Sequence, residues 1–131
     1  MKKNLKLLTS ILVVFLFMSC SSDDDNKDKD SILLGVWQTS EVSTEATTTF
    51  TLVFGDNNTG LSIYAIENNT GEQTSSLESF NWELNGKVVT LLDVDTSQNN
   101  YEINDEGQLV LSGSAGVIIL EKISEDYSSY Y

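Results

Sequence analysis

From Ser31 onward the chain alternates apolar and polar residues with a period of two. In Phe50-Thr51-Leu52-Val53-Phe54, the residues Phe50, Leu52 and Phe54 share one side, while Thr51 and Val53, with Thr49, take the other. In Phe80-Asn81-Trp82-Glu83-Leu84 the same period sets Phe80, Trp82 and Leu84 against Asn81 and Glu83. Side chains on a strand point alternately to opposite faces, so these segments read as half-buried strands with one wet face. Thr, Val, Ile, Tyr, Phe and Trp recur in short runs separated by Gly, Asn, Asp and Ser, and no run carries a helical stripe. The pattern predicts eight strands, at 36–43, 47–55, 60–67, 77–84, 87–93, 100–104, 108–113 and 117–123.

The connections predict how these strands join. Asn85-Gly86 reads as a two-residue type I′ hairpin turn, whose central positions both need positive φ. Asp105-Glu106-Gly107 and the 55–60 stretch are similarly tight. Neighbours in sequence should then be neighbours in the sheet, giving an antiparallel up-and-down meander. Closing about eight such strands into a small all-β barrel removes the exposed edges.

Several of these segments carry a resemblance. Leu34-Gly35-Val36-Trp37 resembles the Gly-x-Trp opening of lipocalin-type barrels. The order that follows is similar to the small lipocalin-like domains common in lipoproteins of Bacteroidetes: Phe50 to Phe54 running into Asp56-Asn57-Asn58-Thr59-Gly60, Phe80 to Leu84 before Asn85-Gly86, Val88 to Leu92, Tyr101-Glu102-Ile103, and Leu109-Val110-Leu111. Lipocalins usually lay an Arg of the last strand over the opening Trp. This chain has no Arg, and Lys122 is the nearest substitute, with an aliphatic stem and a cation to offer an aromatic face.

The chain starts differently. Lys2, Lys3 and Lys6 precede an apolar run from Leu7 to Met18, interrupted by Thr9 and Ser10 and ending at Ser19-Cys20. That is the layout of a signal peptide over 1–19, too short before the polar Ser21 to span a bilayer permanently. Leu16-Phe17-Met18-Ser19-Cys20 resembles a bacterial lipobox, which makes Cys20, the only cysteine, the expected lipidation site. Residues 20–30 then form an acidic tether with nothing apolar to bury. Within it Ser22-Asp23-Asp24-Asp25 looks like the export signal that carries lipoproteins of Bacteroidetes to the cell surface. The expected station is therefore the outer membrane, reached through lipid on Cys20. The barrel domain is expected over 31–123 and a C-terminal tail over 124–131, which either projects as an arm or folds back on the barrel mouth.

Composition narrows the chemistry. Once the signal is removed, four Lys face twenty acids, a formal charge of −16 that disfavours nucleic acid as a partner. With no His and no Arg, and Cys20 given to lipid, the Ser-His, Cys-His and common zinc arrangements and bidentate Arg clamps are all missing. Asp93-Val94-Asp95-Thr96-Ser97-Gln98-Asn99 has oxygen ligands at alternate positions. An EF-hand loop needs Gly sixth and Glu twelfth, however, where this chain has Gln98 and Asn104, so no metal and no cofactor is expected. Glu78 with Glu83, or Asp93 with Asp95, is a carboxylate pair of the kind glycoside hydrolysis uses, but acids are too abundant for either pair to be specific.

What remains is binding without catalysis. Trp37, Tyr64, Trp82 and Tyr101 are the aromatics that either line a ligand cup or fill the barrel. An eight-stranded barrel is just wide enough for either arrangement, and strands this short favour a packed interior. A small hydrophobic or glycan ligand would enter an open end formed by the 55–60, 68–76 and 94–100 loops. The alternative is a packed module that docks another envelope protein.

Overall fold

The computed structural model describes residues 32–92, 100–113 and 116–131. Eight antiparallel strands close into one barrel in chain order: β1 Gly35–Val42, β2 Ala46–Phe54, β3 Thr59–Asn68, β4 Gln73–Asn85, β5 Val88–Leu92, β6 Asn100–Ile103, β7 Leu109–Gly113 and β8 Gly116–Ser124. The fold is the all-β up-and-down barrel that the alternation predicts, with most strand ends moved by one or two residues. The main exception is β4, which starts at Gln73. Its polar stretch Gln73-Thr74-Ser75-Ser76 is exposed on both faces and is held by pairing to β3 from Gln73↔Glu67 to Ser76↔Tyr64, so hydropathy gave no sign of it.

Register carries the inward face around the barrel. Trp37 pairs with Leu52, Phe54 with Gly60, Gly60 with Phe80, Trp82 with Leu91, Val89 with Tyr101, Ile103 with Leu109 and Leu109 with Leu120. These side chains, with Leu33 from just ahead of β1, form a single buried cluster. Phe54 is its centre, meeting the Phe80 ring edge-on at 5.5 Å and the Trp82 ring at 5.9 Å. The other face is not uniformly wet. Val36 and Val53 pair with each other on the outward side of β1 and β2, and both are buried, with Thr51 beside them.

Successive strands run in opposite directions, so their connections alternate between two ends. The β1–β2, β3–β4, β5–β6 and β7–β8 connections lie at one end, and the β2–β3, β4–β5 and β6–β7 connections at the other. The loops expected to form one opening therefore separate: 55–60 belongs to the end opposite 69–72. The β4–β5 hairpin also differs from expectation. Asn85 pairs with Val88, so the turn residues are Gly86 and Lys87, and only Gly86 has positive φ, at 64°. That is the pattern of a type II′ turn, with Gly at its first central position.

Candidate ligand-binding cup

The end that carries the 55–59 turn is closed. Gly60 has no side chain because the Phe80 ring lies across it, where a Cβ would collide. Asn57 and Asn58 take left-handed φ of 61° and 60°, which Asn tolerates better than most residues, and Asn58 Nδ2 donates to the Trp82 carbonyl oxygen at 3.0 Å. Trp82 Nε1 donates to the Thr59 carbonyl oxygen at 2.9 Å, and Trp37 Nε1 to that of Leu33 at 2.8 Å. Both indole N–H groups are thus satisfied inside the protein, as buried donors must be.

Lys122 completes this end. Its Nζ lies 5.5 Å from the centroid of the Trp37 ring and donates to the Ile32 carbonyl oxygen at 2.8 Å. A cation of the last strand thus rests on the Trp of the first. Burial holds the Lys122 amine below its ordinary pKa, partly offset by Glu125. The C-terminal tail folds back here too. The Tyr131 ring lies over Gly55, Tyr127 and Tyr131 meet edge-on at 6.1 Å, and the Asp56 carboxylate beside Tyr127 holds its phenol above the ordinary pKa. Of the two expected courses of the tail, it takes neither as stated: it packs on the barrel, but at the closed end.

The opposite half is open. A cup of about 610 Å³ descends from the β1–β2 and β3–β4 end to a floor of Phe50 and Leu52. This volume lies within the range of small-molecule sites. Its lining is two-sided. β1 to β4 contribute Thr39, Glu41, Thr48, Ser62, Tyr64 and Glu78, whereas β5 to β8 contribute Leu91, Tyr101, Leu111 and Ile118. Val117 and Ile119 also border it, where the ladder between β1 and β8 ends at Gln38↔Glu121 and the upper part of β8 has no β1 partner among the described residues. The interior is therefore packed below and hollow above.

The four aromatics separate accordingly. Trp37 and Trp82, 1% and 2% exposed, belong to the packed half. Tyr64, 45% exposed, and Tyr101, 5% exposed, line the cup. Burial pushes the Tyr101 phenol up to about 12, so it stays protonated. Glu41 was missed in the sequence. It follows Trp37 and Thr39 at alternate positions of β1, and that parity was the available signal. Glu78 and Glu83 are five positions apart on β4 and face opposite sides, so they form no pair. Cys20, Ser22, Asp23, Asp24 and Asp25 and the 93–99 loop lie outside the described residues. Among the described residues no helix is long and apolar enough to cross a membrane.

The arrangement defines a class by geometry: a half-filled up-and-down barrel with one open end. No family model, curated protein or solved structure matches the chain.

Proposed function

We propose that this chain is a lipocalin-like envelope lipoprotein that binds a small molecule in its open half and catalyses no reaction. The observation that supports this reading best is the division of the interior, since a module that only displayed its surface would have no need of a 610 Å³ cup. The closed end supports the anchor reading. The chain enters the barrel there, with Leu33 buried under Trp37, so lipid on Cys20 would leave the mouth opening away from the outer membrane. In this reading Ser22, Asp23, Asp24 and Asp25 direct the protein to the cell surface.

Two measurements test it. Radiolabelled palmitate should enter the native protein and not Cys20→Ala; equal labelling of the two contradicts the anchor. Native mass spectrometry of the protein extracted from its own envelope should show a bound small molecule released on unfolding; an unadorned mass contradicts the binding reading.

One observation favours a second reading, in which the barrel docks an envelope protein. Val117, Ile119 and Ile123 of β8 are exposed where an interaction surface would need them. Crosslinking in intact cells from position 119 to a single protein species would support it.

A further inference from the structure

We infer that the cup takes an amphiphile with a positively charged head, such as an alkylammonium, and rejects fatty acids and other anionic amphiphiles. The inference rests on the binding reading above and concerns which ligand class that site accepts.

Among the described residues the cations are confined to one end of the barrel. Past Asp30 the chain has two cationic side chains, Lys87 and Lys122, and both sit at the closed end. Lys87 belongs to the β4–β5 turn and is paired with Asp105 of the β6–β7 turn, while Lys122 is held by Trp37 and the Ile32 carbonyl. The open end has carboxylates and, among the described residues, no cation. Glu41 and Glu78 line the cup, and Glu45, Glu67 and Glu72 stand in or beside the connections around its mouth. Among the described residues neither Glu41 nor Glu78 has a hydrogen-bonding or ion-pair partner in its side-chain contacts.

A ligand entering this cup meets an aliphatic wall from Leu91, Leu111 and Ile118, which accepts a hydrocarbon body. Opposite it stand two unpaired carboxylates and the rings of Tyr64 and Phe50, which together favour a cation through charge and through the ring quadrupoles. A carboxylate or phosphate head would have no cation to meet and would be repelled by the rim. A concave site lined by one sign of charge also concentrates the field at its mouth, which speeds the entry of cations.

The test uses the mature chain from residue 20, with Cys20→Ala to keep it free of lipid. It compares three amphiphiles with one dodecyl body, namely dodecyltrimethylammonium, dodecanol and dodecanoate, each titrated calorimetrically below its aggregation concentration. The ammonium should bind at least about tenfold tighter than dodecanoate, with dodecanol between, and the preference should shrink as salt rises. Glu41→Gln with Glu78→Gln should bring the ammonium to the affinity of dodecanol, whereas Glu83→Gln with Glu106→Gln, outside the cup, should preserve the preference. Ile118→Trp should weaken all three. Equal affinities, tighter dodecanoate, or an ammonium preference that survives the Glu41 and Glu78 changes would overturn the cation inference while leaving a binding cup, whereas binding of all three that Ile118→Trp leaves intact would place it outside the cup and overturn both. Failure of all three to bind overturns the cup itself and the inference with it.

Discussion

Lys122 and Trp37, partners in the β1–β8 ladder, are joined by a cation held 5.5 Å from the ring centroid and tied to the chain entering the barrel through the Ile32 carbonyl. One side chain thereby fastens the last strand, the first strand and the incoming segment at the closed end. Lys122→Met keeps most of the stem but loses the charge and its hydrogen bond, and should cost about 1–2 kcal/mol. Lys122→Ala also removes the packed stem and should cost more. Urea unfolding of the two variants beside the parent checks the order.

Gly35 explains why the chain needs glycine two residues before that tryptophan. Its φ is +130°, and a Cβ there would collide with the Ser124 carbonyl oxygen and lie 2.8 Å from Lys122 Cε. Gly35→Ala should therefore destabilise by about 2–4 kcal/mol, through backbone strain and displacement of Lys122. Gly60→Ala should be comparably harmful because its methyl would drive Phe80 off Phe54. Gly86→Ala meets no atoms and loses only the positive-φ preference, so about 1 kcal/mol is expected. Thermal melts of the three variants should rank them in this way.

Tyr101 gives the barrel an alkaline limit. Its ordinary value of 10.0 rises to about 12 on burial, so between these two pH values the unfolded chain releases a proton that the folded chain keeps. Stability from this residue is whole below pH 10 and falls as pH rises towards about 12, by up to about 2–3 kcal/mol. In urea titrations across that window, Tyr101→Phe should lose most of the decline, and a decline unchanged in the variant would contradict the assignment.

The barrel was legible because the period of two recurs from strand to strand, as in Phe50-Leu52-Phe54 of β2 and Phe80-Trp82-Leu84 of β4, and because tight turns leave neighbouring strands no alternative partner. The cup was less legible. Composition does not distinguish Trp37 and Trp82, which fill the lower half, from Tyr64 and Tyr101, which line the upper; height along the strand decides, and height is set by register. The 55–60 turn lies away from the mouth because strand direction, which alternates along the meander, decides which end a connection occupies. The hairpin at Gly86 was off by one residue because Asn85 is a good I′ residue that pairs instead with Val88. The buried Val36 and Val53 show the limit of alternation: it assigns a face without saying what covers it.

The central claim is that the upper half of this barrel is a binding cup, and the most direct measurement is fluorescence titration of the mature chain with N-phenyl-1-naphthylamine, an uncharged apolar probe. The account predicts saturable binding of one probe per chain, abolished by Ile118→Trp, whose indole would occupy the space between Leu111 and Phe50, with an unchanged urea midpoint. Titration without saturation, or saturable binding that Ile118→Trp leaves intact, would contradict it.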